Sequence, residues 1–264
     1  MALIHGYAVH AAGAELLPFK YDPGELSPGD VEVRVTHCGV CHSDAHLIDN
    51  DWGMSQYPFI PGHEVIGTVS AVGSEAQGVA IGDRVGVGWQ ANSCGRCEWC
   101  RKGQEHLCAQ AQPTCVHRHG GYAEAVRVNA RFVVKIPEAL ESEGAAPLLC
   151  GGITVYSPMR TYGVNPSSKV GVIGIGGLGH LALQFARAFG AEVTAFSSSP
   201  AKERKPSLFY LQCHYLLSVE HCIHFNGSKL HRRLAAQGHA PVVAHRLQYV
   251  RHRQWHRRQR TPVD

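Results

Sequence analysis

The sequence predicts an α/β protein in two parts. A front half of short strands forms a barrel or a sandwich, and an incomplete doubly wound, Rossmann-type domain follows it. Three features carry the prediction. Apolar residues alternate along short runs, broken by Gly and Pro, through residue 137. A glycine loop, Gly174-x-Gly176-x-x-Gly179, stands between a strand-like run and a helix-like run. Past residue 203 neither pattern continues.

Along the chain, Val31, Val33 and Val35 alternate with Glu32 and Arg34 after the turn Pro28-Gly29-Asp30, as in a half-buried strand. Residues 64–73 are β-branched and Gly-rich, and Gly82-Asp83 turns the chain into a strand at 84–88. Gly120-Gly121 precedes a strand over 122–128, and another over 132–136 ends at Pro137. Small and apolar residues over 138–149 predict a helix with Pro147 at a kink or an end. Residues 169–173 have the pattern of a short buried strand. Leu178, Leu181, Ala182, Phe185 and Phe189 then recur at near-helical spacing, Gly190 ends that helix, and 193–196 is a second strand. Strand, glycine loop, helix, strand is a βαβ unit.

Composition narrows the class. Hydrophobic residues make up 44% and charged residues 17%, which suits a globular protein. No basic stretch with an apolar core opens the chain, and no apolar run reaches membrane-spanning length. The expected location is therefore the cytoplasm, where clustered Cys means metal more often than disulfides. The net charge of +4 hides an asymmetry. Residues 205–264 hold eight Arg and two Lys against Glu220 and Asp264, a net of +8, so residues 1–204 carry −4.

Cys94, Cys97, Cys100 and Cys108 form C-x2-C-x2-C-x7-C. Four thiolates at these spacings close a tetrahedral shell around zinc and leave no open position, so that zinc is expected to be structural. Disulfides or a redox pair are the competing readings, and neither calls for four regularly spaced Cys. Upstream, Cys38–Asp44 reads Cys-Gly-Val-Cys-His-Ser-Asp, and Gly62-His63-Glu64 follows about twenty residues later. Either segment alone is weak, since a lone Cys or His is more often packed core than ligand.

Together these motifs resemble the zinc-containing medium-chain alcohol dehydrogenases, in their cinnamyl-alcohol-dehydrogenase-like branch. The matching segments are 39–44, Pro61-Gly62-His63-Glu64, the four-Cys lobe, Ala146-Pro147-Leu148-Leu149-Cys150 and the glycine loop, in that order, and the resemblance runs from about residue 3 to about 203. It implies a GroES-like zinc-binding domain over 1–150 and the first part of an NADP-binding domain over 151–203. The resemblance, rather than spacing, supplies Cys41, His63 and Cys150 as ligands of a catalytic zinc with one open position, where the metal acts as a Lewis acid on the substrate oxygen. It places Glu64 near that metal, Ser43 and His46 in a proton relay, His42 near the cofactor pyrophosphate, Trp52 in the substrate pocket and Thr154 near the nicotinamide. Asp44 is expected to orient the His63 ring. Cys38 and Cys115 read as small buried hydrophobes. His117 and His119 read as surface loop residues.

The glycine loop, Gly174, Gly176, Gly177, Leu178 and Gly179, gives a tight turn and a helix N-terminus for a pyrophosphate. The next strand ends in Ser197-Ser198-Ser199, with Lys202 and Arg204 beyond. Without an acidic residue there to hold a ribose 2′-hydroxyl, hydroxyls and cations favour a 2′-phosphate, so NADP(H) is the expected cofactor.

The sequence thus predicts a zinc-dependent alcohol dehydrogenase or aldehyde reductase. It would move hydride between NADP(H) and a primary alcohol or aldehyde, with two zinc ions per chain. The alternative is a non-catalytic zinc-binding remnant of such an enzyme. Residues 204–264 match nothing in the family and are expected to be a frameshifted or truncated product; a nucleic-acid-binding basic tail ranks below that. No membrane partner is expected, and the resemblance leaves a homo-oligomer open.

Overall fold

The structure is a computed structural model that describes residues 3–197. The expectations for Ser198, Ser199, Lys202 and the basic stretch beyond lie outside the described residues. The elements in order are β1 (Ile4–Ala8), β2 (Leu17–Tyr21), β3 (Asp30–Cys38), α1 (His42–Asp49), β4 (Val65–Val72), β5 (Arg84–Val87), β6 (Gln90–Asn92), α2 (Glu98–Arg101), β7 (Gln112–Pro113), β8 (Ala125–Asn129), β9 (Val133–Lys135), α3 (Ser142–Ala145), α4 (Gly151–Thr161), β10 (Lys169–Ile173), α5 (Gly177–Ala188) and β11 (Glu192–Phe196).

One antiparallel sheet in the order β8-β3-β4-β5-β9 organises the front half. Val31, Val33, Val65, Val85, Val87 and Val126 each have no exposed surface and lie together in one core. Glu32, between Val31 and Val33, meets Arg127 of the neighbouring β8 at 2.9 Å. Register shifts in β3 at Glu32/Val33 and Val35/His37 bend the strand and add twist, which curls the sheet around that single core. Of the two architectures left open by the sequence, this is the GroES-like curled barrel rather than two stacked sheets. The β1–β2 hairpin is fastened to it by backbone hydrogen bonds from Tyr7 N–H to Tyr122 O (2.9 Å) and between Val9 and Phe59 in both directions.

The expected strands lie where the alternation put them, each within a few residues. The expected helix over 138–149 does not form as one piece. It is the four-residue α3 followed by a 3₁₀ turn at Ala146–Leu149. Pro147 lacks an N–H and fits only the first turn of a helical segment, so it starts the 3₁₀ turn. Two helices carry no clear apolar periodicity in sequence. They are α1, and α4 with Pro158 inside it.

Past the barrel, β10 and β11 are parallel and in register from Lys169↔Glu192 to Ile173↔Phe196. The crossover helix α5 buries Ala182, Leu183 and Ala186, and Gly190, at φ +83°, ends it in the left-handed region. Tyr156 of α4 stacks on Phe189 (5.6 Å between ring centroids) and meets Phe185 edge-on (5.5 Å). The predicted βαβ unit is therefore present, with α4 packed beside its helix. No helix among the described residues is long and apolar enough to cross a membrane.

Gly67 of β4 lies against β3 so closely that an added Cβ would collide with Arg34 O and stand 2.6 Å from Val33 Cγ1. Gly67→Val is expected to destabilise the chain by about 1–3 kcal/mol, read as a fall in Tm, because backbone cannot move aside as a side chain can. Gly144→Ala, in α3 with open space around it, is the control, and a neutral or slightly raised Tm is expected.

Candidate active site

The site begins at the N-terminus of α1. Cys41 is the N-cap with extended backbone; its Sγ accepts from Ser43 N–H (3.5 Å), and Asp44 Oδ2 accepts from Cys41 N–H (3.0 Å). This is a capping box made with Cys and Asp. It holds the Cys41 sulfur over the free N–H groups of a helix end, where negative charge is favoured.

Asp44 has no exposed surface, and its carboxyl oxygens accept from four donors. Besides Cys41 N–H they are Gly62 N–H (2.9 Å), His63 Nδ1 (3.0 Å) and, at a longer 3.4 Å, the Tyr122 hydroxyl. With Nδ1 engaged, His63 turns Nε2 toward sulfur, 3.3 Å from Cys150 Sγ. Burial disfavours a charged His63 ring, but the Asp44 carboxylate outweighs it and holds the ring well above the usual histidine range. Cys150 arrives from the far side of the sequence, as the N-cap of α4, with its Sγ 3.7 Å from Cys41 Sγ. The hydrogen bond between them pulls the Cys41 thiol below the usual thiol range and pushes the Cys150 thiol above it. Glu64 is buried beside them. Burial, and then the Cys41 charge, raise its carboxyl to about 8.

Cys41, His63, Glu64 and Cys150 therefore bring four donor atoms within 4.8 Å of one another. Zinc–sulfur bonds of about 2.3 Å in a tetrahedron set sulfurs roughly 3.8 Å apart. The 3.7 Å between Cys41 and Cys150 fits that edge and is far beyond a disulfide bond. The lobe fits in the same way. Cys94 follows β6, Cys97 caps α2, Cys100 lies within it, and Cys108 follows a 3₁₀ turn at Glu105–Leu107. Cys100 Sγ is 3.5 Å from Cys97 Sγ and 3.9 Å from Cys94 Sγ, and all four donors lie within 4.8 Å. Backbone N–H groups of Arg96 and Cys97 lower the Cys94 thiol to about 6. None of the eight described cysteines is in a disulfide.

Aromatic rings border the donor set. Trp89 meets His63 edge-on (5.1 Å), Trp52 meets Trp89 edge-on (6.3 Å), and Trp52 stacks on His46 (5.1 Å, 28° between planes). His42 lies edge-on to His46 at 4.7 Å. Ser43 and His46 are three residues apart on α1 and share a side of it, but among the described residues no hydrogen bond joins them. His46 Nδ1 pairs instead with Asp51 Oδ2 at 2.8 Å. Thr154 lies exposed in the first turn of α4, its N–H donating to Cys150 O (3.0 Å). Trp89, Tyr122 and Asp51 were not legible as site residues. Aromatic and acidic residues are common in loops; only the fold brings Trp89 and Tyr122 to His63 and Asp44, while Asp51 meets His46 from just past the end of α1.

The glycine loop opens α5 as expected. Gly174 is at φ +84°, and Gly176 caps the helix without a side-chain bond. A Cβ at Gly179 would collide with Gly174 O, so the turn is tight because that position has no side chain. Ser197 is buried at the end of β11. Cys38 and Cys115 are buried as expected, although Cys115 lies within 4.8 Å of Asp44 and His63 donor atoms. Among the described residues no donor cluster includes His117 or His119; the His119 ring lies 4.0 Å from that of Tyr21.

Asp44→Ala would leave Cys41 N–H, Gly62 N–H and the His63 ring without their acceptor in a buried place. A loss of about 3–5 kcal/mol is expected in chemical unfolding, well above the 0.5–1.5 kcal/mol of one ordinary hydrogen bond. Asp44→Asn, which keeps some of these contacts, is expected to lose less.

Residues 27–138 match the alcohol dehydrogenase GroES-like domain. The chain is 49% identical over 215 residues to an aldehyde reductase from Synechocystis sp., covering 81% of this chain and 63% of that protein. Among solved structures it is similar to a cinnamyl alcohol dehydrogenase from Sorghum bicolor, with TM-score 0.76, 42% identity, and coverage of 83% of this chain and 65% of that one. It is also similar to the cinnamyl alcohol dehydrogenase (CAD) of Helicobacter pylori complexed with NADP(H), with TM-score 0.76, 33% identity, and coverage of 84% and 66%. The chain thus spans a little under two thirds of the length of these relatives. With the matched domain, the order of its motifs and the curled barrel leading into a βαβ unit all agreeing, the chain belongs to the medium-chain alcohol dehydrogenase family, in its cinnamyl-alcohol-dehydrogenase-like branch.

Proposed function

We propose that this chain is a zinc-dependent alcohol dehydrogenase acting as an aldehyde reductase, moving hydride between NADP(H) and a primary alcohol or aldehyde. The observation that carries the reading is the buried His63, held at Nδ1 by Asp44 and presenting Nε2 to Cys41 and Cys150 beside an aromatic wall. Cys41, His63 and Cys150 are the residues that would hold the catalytic ion, and Cys94, Cys97, Cys100 and Cys108 a structural one. A zinc ion bound by the first set supplies Lewis acidity toward a substrate oxygen.

The chain's own residues do the rest. Asp44 fixes the tautomer and orientation of His63. Ser43 passes the substrate hydroxyl proton and His46, oriented by Asp51, takes it toward solvent. Trp52 and Trp89 exclude water and offer ring faces to an apolar or aromatic substrate. Glu64, buried next to the donors, would offer the ion a carboxylate oxygen. The N–H groups of Gly177, Leu178 and Gly179 bind the pyrophosphate at the start of α5, with His42 nearby, and Thr154 lies by the nicotinamide. Ser197, Ser198, Ser199 and Lys202 bind the 2′-phosphate, and the absence of an acidic residue at that strand end supports NADP(H) over NAD(H).

The alternative reading is a zinc-binding domain without turnover. The two are separated by measuring NADPH oxidation with an aromatic aldehyde on the purified, zinc-replete chain, with Cys41→Ser as the blank. Turnover above the blank, slower with NADH, is expected of the enzyme. Two zinc ions per chain without turnover would establish the second reading. Cys41→Ser is expected to keep only the zinc ion of the four-Cys lobe and Cys94→Ser to lose that same ion, counted by atomic emission on the dialysed proteins.

A further inference from the structure

The third donor, Cys150, is the one member of the site that the barrel does not itself carry. It lies at the end of a segment over 136–149 that leaves β9 and runs back across the outside of the sheet. We propose that the outward row of β5 and the residue after it, Arg84, Gly86 and Gly88, is a rail that docks this segment and so sets Cys150 against Cys41 and His63. This assigns Arg84 as a positioning residue for the site, and it rests on the proposal that Cys150 is a metal donor.

The rail follows from the strand's period of two. Val85 and Val87 have no exposed surface and face the core, so residues 84, 86 and 88 face the opposite way. Arg84 at one end gathers the start of the segment. Its Nη1 donates to Pro137 O (3.0 Å), and its Nη2 donates to Leu140 O (2.7 Å) and Ser142 Oγ (2.8 Å). At the other end the two glycines make room for the last residue before the donor. A Cβ at Gly86 would lie 2.8 and 2.9 Å from the Leu149 methyls, and one at Gly88 would lie 2.6 Å from Leu149 O. Between these ends, Ala145 and Ala146 pack against Ile66 of β4, with Leu140 and Leu149 alongside. Leu149 is thus held by its side chain and its carbonyl one residue before Cys150. A planar guanidinium that binds three oxygens on three residues is a rigid clamp, which a lysine cannot reproduce.

Two measurements on the full chain test the rail, one of them independent of metal. In the metal-free, reduced chain, a mild thiol oxidant (diamide) is expected to link Cys41 to Cys150, whose sulfurs are 3.7 Å apart, and peptide mass spectrometry reads the rate. Gly88→Val and Arg84→Gln are expected to slow that link at least about tenfold, while Arg84→Lys lies between them and the parent chain. In the second measurement cobalt(II) replaces zinc, and the thiolate-to-cobalt absorption is titrated. Gly88→Val and Arg84→Gln are expected to weaken the Cys41–His63–Cys150 site by about 10–100-fold, the size of effect that groups supporting metal ligands have. The four-Cys lobe should keep its cobalt, which shows that the variants remain folded. Parental rates of linkage and parental cobalt affinity in both variants would overturn the rail. A parent chain that links Cys41 to Cys150 readily but binds cobalt only at the lobe would overturn the zinc-enzyme reading instead, and the slowed link in the variants would then stand as evidence for the rail alone.

Discussion

Among the described residues, the Asp44 carboxyl group ties together three separate parts of the chain. It closes the capping box at Cys41, fixes the backbone turn at Gly62, orients the His63 ring and meets the Tyr122 hydroxyl, all without exposure to water. A buried carboxyl group is costly unless its oxygens are fully used, and these are. One acidic side chain therefore couples three distant parts of the sequence, the start of α1, the turn before β4 and the approach to β8. The same geometry leaves one nitrogen of His63 and the Cys41 sulfur with no option but to face each other's neighbourhood. Order at the site is thus inherited from hydrogen-bond satisfaction in the core, before any ion or cofactor is considered.

The barrel and the βαβ unit contribute to the site in different ways. The barrel provides depth: a valine-lined core beneath, glycines where strands and turns approach closely, and a helix end aimed at the donors. The segment that follows provides closure by returning to the outside of the sheet and delivering Cys150 at the head of α4. Thr154, one helical turn on, and the glycine loop then lie on the same continuous stretch of chain that carries Cys150. Cys150 and the glycine loop are linked through α4 packing on α5, where Tyr156 bridges Phe185 and Phe189. A shift of α4 would therefore be felt both by the sulfur pair and by the helix that opens at the glycine loop.

Much of this was legible from residue pattern, and the reasons differ by element. Val31, Val33 and Val35 announced a half-buried strand because a sheet with one wet face imposes period two. The lobe was legible as a cluster because four cysteines at such short intervals come within reach of one another. The single helix expected over 138–149 failed, since apolar content there reflects a segment lying flat on the sheet, and Pro147 permits only the start of a turn. Helices α1 and α4 escaped notice because both begin at a site cysteine. Their faces are shared among donors, rings and solvent, so no apolar stripe forms for a periodicity to reveal.

By itself the sequence determined the chemistry available: which thiols, imidazoles and carboxyl groups exist, their local spacing, the alternation that builds the barrel and the glycines that open α5. These are short-range properties, dictated by the geometry of strand, turn and helix within a dozen residues. Only the tertiary structure decided which of those groups meet. Cys41 and Cys150 are 109 positions apart and their sulfurs 3.7 Å, while Trp89 and Tyr122 entered the site without any local sign. Such meetings depend on how a twisted sheet folds the chain back on itself, and long-range closure of that kind leaves no mark in the spacing of neighbouring residues.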